Sequence, residues 1–234
     1  MTKTAVVIGA SGGIGKALVE ALVHSGRYAT VHALARSPVE IAGAHAGRID
    51  ITEEATVRQA ADGIESIDCL IVASGLLHGP GLSPERALRD LDPQTLAILF
   101  QVNAIGPAIV LNHFAPRLAR DRETRTALIS ARVGSISDNR LGGWYGYRAS
   151  KAALNMIVKC TAIELARSRP KAICVGLHPG TVDTALSAPF RHGVPEGRLL
   201  SADRSAAAML AVLDGLVADD SGQCFAWDGA PIAA

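Results

Sequence analysis

The sequence predicts a mostly parallel, doubly wound α/β sheet of about seven strands with helices on both faces, folded as one domain over residues 1–234. Three observations carry this. Short Val- and Ile-rich runs alternate with longer segments of helical spacing from end to end, a glycine turn (GASGGIG) joins the first run to the first helix, and no repeat, low-complexity tract or linker interrupts the 234 residues. Continuous apolar runs fit strands covered on both faces. Their alternation with helices fits right-handed parallel crossovers, which place ligands beyond the carboxyl ends of the strands.

In order, the first strand is expected over 4–8 and the first helix over 14–24, with the glycine turn between them. A second strand over 28–35 and a short third ending in GRID lead to a helix over 53–62. A strand over 68–73 is followed by a long helix over 93–118. That helix lies in a stretch free of charge, 93–116, but Gln94, Gln101, Asn103, Gly106, Pro107, Asn112 and His113 make it too polar for a bilayer span, so it reads as a buried helix. Strands over 126–130 and 171–177 flank a helix over 147–166, and a helix over 202–217 precedes the last strand, 223–227. The least regular stretch, 185–200, holds Pro189, Gly193, Pro195 and Gly197 and follows a strand end, where a substrate loop would sit.

The chain is 49% hydrophobic and 19% charged, and its 23 Lys and Arg against 22 Asp and Glu leave a net charge of +1. No global field gathers nucleic acid or an anionic membrane, so neither is expected as a partner. The first apolar run ends in glycines, which is not a signal peptide, and a cytoplasmic protein is expected. Cys69, Cys160, Cys174 and Cys224 are scattered without metal-ligand spacing, which suits a reducing compartment and predicts neither metal nor disulfide.

Gly9, Gly13 and Gly15 follow a strand directly and open a helix, so backbone amides can approach a pyrophosphate at the helix N-terminus without obstruction by Cβ atoms. A P-loop is excluded, because Ala17 follows Lys16 where Ser or Thr would hold magnesium, and Ala10 stands five residues before Gly15. The cofactor contacts expected in this turn are Gly9, Ser11, Gly12, Gly13, Ile14 and Gly15. Arg36 ends the second strand about 20 residues after the turn, where an NAD-binding protein places an acid on the ribose hydroxyls. A cation there suits a 2′-phosphate and favours NADP over NAD. Asp50, beside Ile51, either accepts from the adenine amine or serves the next helix N-terminus near Thr52 and Glu53.

Tyr147 and Lys151 stand four apart in a helical segment, on one face and about one turn apart. An ammonium near a phenol favours the phenolate by ~1 to 3 pKa units, moving a tyrosine of pKa ~10 towards acid and base work.

With GASGGIG near the start, Asn103 in VNAIGP, YRASK around Tyr147 and Lys151, and HPGTVDT after the next strand, the chain resembles the short-chain dehydrogenase/reductase family over nearly its whole length. The segment RVGSISDNRLGGWYGYRASKAALNM is similar to the subgroup of C-factor and sniffer-type carbonyl reductases. The resemblance implies a Rossmann fold and an oxidoreductase passing hydride between NADP(H) and a carbonyl or alcohol. It implies Tyr147 as acid/base, Lys151 as holder of the nicotinamide ribose that also depresses the tyrosine pKa, and Asn103 as anchor of a relay water. Pro179, Gly180, Val182 and Thr184 match the segment that closes over the carboxamide. Tyr145 is excluded as the acid/base because its lysine is six residues away. Trp144, Tyr145, Leu186 and Phe190 are expected pocket walls.

Two departures from the family pattern stand out. Ala131 occupies the position of the serine that hydrogen-bonds the substrate oxygen, leaving Ser130 and Ser135 as candidate substitutes. Ala73, Ser74 and Gly75 replace the usual Asn-Asn-Ala-Gly, where cofactor contacts are partly through backbone. Ala131 also motivates an alternative, an NADP-binding sensor or interaction protein with weakened chemistry. The resemblance further implies a homodimer or homotetramer through the apolar helices around Leu96 to Val110 and Ala152 to Ile163.

Overall fold

A computed structural model describes residues 2–190 and 199–233, and its centre is an eight-stranded sheet. Strands β1 (Thr4–Ile8), β2 (Thr30–Ala35), β3 (His45–Arg48), β4 (Cys69–Val72), β5 (Thr124–Ile129) and β6 (Ala172–His178) are joined by β9 (Cys224–Ala226) and β10 (Pro231–Ile232) in the order β10-β9-β6-β5-β4-β1-β2-β3. Seven strands run parallel, as expected, and the eighth, β10, is antiparallel to β9. The two-residue strands β7 (Thr181–Val182) and β8 (Leu199–Leu200) pair separately, at the ends of the expected loop. Half of that loop, 191–198, lies outside the described residues.

Strand alternation sorts the core into two layers. Ala5, Val7, Cys69, Ile71, Ile173 and Val175 face α1 (Gly13–His24) and α6 (Ala202–Gly215). Val6, Ile8, Leu70, Val72 and Cys174 face the helices on the other side, α2 (Glu54–Asp62), α4 (Gly106–Phe114) and α5 (Tyr145–Ser168).

The long helix expected over 93–118 is broken into α3 (Pro93–Phe100), a π-helical turn at Gln101–Ile105, and α4. Pro107 has no amide and would clash with a carbonyl one turn back, and one extra residue in the turn relieves this. The Gly106 amide accordingly donates to the Gln101 carbonyl. The polar residues do not make this stretch too polar by composition: Pro93–Arg117 is long and apolar enough to cross a membrane, and 39% of its apolar window is buried against the rest of the fold.

Helix α5 starts two residues earlier than expected. Gly142, Gly143 and Trp144 have φ of 64, 65 and 51°, a left-handed run that swings the chain into the helix. Positive φ is uncommon for a non-glycine residue, so Trp144 stores strain that its neighbours must hold. Its amide donates to the Glu85 carbonyl at 2.6 Å, and the buried Glu85 carboxylate accepts from Gly146 N at 3.2 Å. A carboxylate at a helix N-terminus complements the exposed amides there.

Candidate active site

A cavity of about 650 Å³ opens at the carboxyl ends of β1, β4, β5 and β6. The glycine turn forms one wall, with Gly12, Gly13, Ile14 and Gly15 lining it. This turn is built for close approach, since a Cβ on Gly15 would collide with the Gly9 carbonyl and one on Gly13 would come within 2.8 Å of Thr184 Cγ2. Gly9 has φ 91°, and its Cβ would lie 2.9 Å from the Ala73 and Ser74 backbone. Thus Gly9 shapes the turn from behind, outside the cavity lining, and Ser11 is exposed beyond it.

Ala73, Ser74 and Gly75 form the floor. Opposite the glycine turn, Pro179, Gly180, Val182 and Thr184 close the roof, pinned by Ser205 Oγ donating to the Pro179 carbonyl at 2.7 Å. The cradle fits a dinucleotide, because side chains are missing where phosphates need backbone amides.

Arg36, Asp50 and Ile51 lie outside this cavity. Arg36 is exposed at the end of β2. Asp50 accepts from Thr52 N at 2.9 Å and Thr52 Oγ1 at 2.7 Å, the helix-start arrangement of its two readings. Burial opposes its ionisation, yet these bonds and the charges of Arg36 and Arg48 hold its carboxyl below the usual range. Ile51 is buried against Gly106, so its side chain belongs to the core.

Tyr147 and Lys151 are both buried on α5 and face the cavity together. The Lys151 ammonium lies 5.9 Å from the Tyr147 ring centroid and donates to the Ile129 carbonyl at 2.9 Å. The expected depression of the tyrosine pKa is not what this geometry gives: burial pushes the Tyr147 hydroxyl up to about 12 and lowers Lys151 to about 8. Burial alone accounts for the upward shift of the Tyr147 hydroxyl.

Asn103 is tied into the fold by its side chain. Its side chain is fully buried, accepts from Leu76 N and donates to the Leu76 carbonyl, both at 2.8 Å, and donates to Ser150 Oγ at 3.1 Å. Ser150 Oγ in turn donates to the Tyr147 carbonyl at 2.9 Å. Both amide protons are used by these bonds, so a water held here would donate to an oxygen of Asn103. It fastens the floor loop to the helix that carries Tyr147.

Ala131 lines the cavity at the serine position. Ser130 lines it too, but its hydroxyl donates to Asn155 Oδ1 at 2.6 Å. Ser135 is absent from the lining and accepts from Asp138 N at 3.1 Å, so it does not replace the missing hydroxyl. Trp144, Leu186 and Phe190 form the apolar wall as expected, with the Trp144 and Phe190 rings 4.9 Å apart, whereas Tyr145 is not among the lining residues.

Sequence reasoning missed Glu85, Ser150, Arg132 and His178. Of these, His178 had a signal: Cys174, Gly176 and His178 alternate on one face of β6, so the histidine at the strand end falls beside Ser130. Its Nδ1 is buried without a hydrogen-bond partner among the described residues. Burial first, then the Arg132 charge, lowers its pKa from 6.5 to about 4. The folded state therefore favours neutral His178, a contribution complete above pH 6.5 and lost as pH falls towards 4. At about 1.4 kcal/mol per pKa unit this is of order 3 kcal/mol. Urea unfolding of wild type and His178→Gln between pH 4 and 7 should show a shallower acid decline in the variant.

A parallel sheet with a glycine turn at its centre and a Tyr-Lys pair on the adjoining helix defines a nucleotide-dependent enzyme of Rossmann architecture. The chain belongs to the short chain dehydrogenase family, whose sequence model matches residues 3–194. It is 39% identical over 147 residues to the C-signal of Myxococcus xanthus, covering 62% of this chain and 82% of that protein. The carbonyl reductase Sniffer of D. melanogaster shares the fold, with TM-score 0.85, 20% identity and 100% of each chain covered. A short-chain dehydrogenase/reductase from Burkholderia multivorans with bound NADP aligns with TM-score 0.79 and 25% identity over 100% of each chain. The family expected from the motifs is confirmed, and the C-signal likeness agrees with the expected subgroup.

Proposed function

We propose that the protein is an NADP-dependent oxidoreductase that interconverts a carbonyl and an alcohol, with Tyr147 as its acid/base. The observation that carries this reading is the burial of Tyr147 and Lys151 on the wall of the same cavity that the glycine turn lines. When bound, the nicotinamide supplies or accepts the hydride. Tyr147 Oη protonates the carbonyl oxygen in reduction and removes the alcohol proton in reverse. A hydroxyl held protonated at neutral pH by burial suits the reductive direction. Lys151 holds the nicotinamide ribose, and Asn103 positions Leu76 and the Tyr147 helix. The NADP in the Burkholderia relative supports the cofactor class, and Arg36, exposed at the end of β2, is the contact for a 2′-phosphate.

Titration with NADPH and NADH followed by fluorescence, then turnover of an aldehyde, ketone and quinone panel, tests the reading. Arg36→Asp should weaken NADPH by about tenfold or more while sparing NADH. Equal loss for both cofactors would remove Arg36 from the 2′-phosphate.

One observation favours a second reading, a cofactor-binding sensor: Ala131 lacks the hydroxyl and Ser130 is committed to Asn155. NADPH binding with no turnover across the panel would select it. The exposed Ile98, Ile105, Met156 and Ile163 on α3, the π turn and α5 support a homodimer or homotetramer through these helices. A cytoplasmic location completes the proposal.

A further inference from the structure

The turn after β5 carries a cluster that this chemistry does not use. Arg132, Arg140 and Arg148 line the cavity that holds Tyr147, and with Lys151 they set four cations against one carboxylate, Asp138, among the described lining residues. Their charge is weakly compensated. Arg132 meets Asp138 at 3.4 Å between half-exposed side chains, and Arg148 donates to the main-chain carbonyls of Gly143 and Val133 at 3.0 and 3.4 Å. Arg140 has no ion pair among the described residues. His178 completes the cluster, with its buried Nδ1 unpartnered and its ring within the field of Arg132.

The three arginines follow β5 or lie on α5, apart from the glycine turn after β1, whereas His178 directly precedes Pro179 and Gly180 of the cofactor roof. The strand order puts β6 and β9 on the opposite side of β5 from β1, β2 and β3, where the glycine turn, Arg36 and Asp50 lie. A dinucleotide reaching from Arg36 across the glycine turn to Lys151 ends over β4 and β5. His178, at the end of β6, also feels Asp228 just past β9. With Lys151 on the ribose, the three arginines are left for the other reactant.

Resting on the oxidoreductase reading above, we propose that the carbonyl substrate carries an oxyanion, a carboxylate or phosphate, seated on Arg132 and His178 with its apolar body against Trp144 and Phe190. A guanidinium presents two parallel N–H donors that match either group. The neutral imidazole supplies one further N–H and removes an orphaned buried atom. A site built this way discriminates against an isostere without the charge, which leaves the donors unserved.

The test uses 4-formylbenzoate, its methyl ester and 4-formylphenyl phosphate. Calorimetry on the NADP⁺ complex, which cannot reduce an aldehyde, gives their affinities, and NADPH oxidation gives kcat/KM. The charged aldehydes should exceed the ester by about tenfold or more in both readouts. Arg132→Gln should bring the ratio to within about twofold, and Arg132→Lys should restore part of it. The better of the two anions identifies the source. Equal affinity of all three for the NADP⁺ complex, or a charged-to-ester ratio that survives Arg132→Gln, overturns the proposal. Reduction of the ester without charge preference sinks the anion site and leaves the oxidoreductase. Tight charged binding without any reduction keeps the anion site and sinks the oxidoreductase.

Discussion

Replacing Tyr147 by phenylalanine is expected to lower kcat/KM for carbonyl reduction by about 10³-fold, within the range a positioned general acid contributes. The variant removes only the hydroxyl, and the ring keeps its place between Trp144 and Lys151. Stability should change little and NADPH binding far less than turnover. Stopped-flow measurement of NADPH oxidation under single-turnover conditions isolates the chemical step. A variant that reduces carbonyls at the wild-type rate would show that another group delivers the proton. Burial holds the Tyr147 hydroxyl at about 12, so the reductive rate should show no loss from tyrosine ionisation across the neutral range.

The second large effect is expected at the glycine turn. Gly15→Ala places a methyl group into the Gly9 carbonyl, with the Gly9 carbonyl carbon 2.7 Å and the Ala10 Cα 3.1 Å away. Backbone cannot yield as a flexible side chain does, so the turn must open. Overpacking of this kind costs about 3 kcal/mol, roughly 6–12 °C in Tm for a chain of this size. The displaced amides should weaken NADPH by about 100-fold or more, equivalent to ~2.7 kcal/mol. Gly12→Ala is the internal control for stability: its φ is −79°, and its Cβ would meet only the Gly9 carbonyl at an ordinary 3.5 Å. Differential scanning calorimetry on both variants decides it, and equal melting would refute the steric account.

The alternation of apolar runs and helices was enough to read the seven parallel strands and the order of elements, because each buried strand in such a sheet must be apolar on both faces. The glycine turn and the Tyr147–Lys151 pair were legible because each lies within one local element, where spacing alone sets which groups meet the cavity. What the sequence hid was set by contacts between distant segments. The side-chain amide of Asn103 is consumed by Leu76 and Ser150, 27 and 47 residues away, and no local pattern announces that. Glu85 caps α5 from 61 residues upstream. The balance at Tyr147 depended on burial, which the spacing of a tyrosine and a lysine does not contain. The two-residue β10 carries too few residues for a periodic signal, and the π turn arises from the conflict of Pro107 with a helix that the apolar pattern continues.

The Asn103 fastening also bears on how such a chain diversifies. One side chain joins the loop under the glycine turn to the helix that carries Tyr147 and Lys151, so a substitution there disturbs both at once. Leu141, Leu186 and Phe190 on the outer wall contribute apolar side chains that take no part in that fastening. Wall residues can therefore be exchanged without loosening the fastened pair, so the pocket's outline and the frame behind it are free to vary separately.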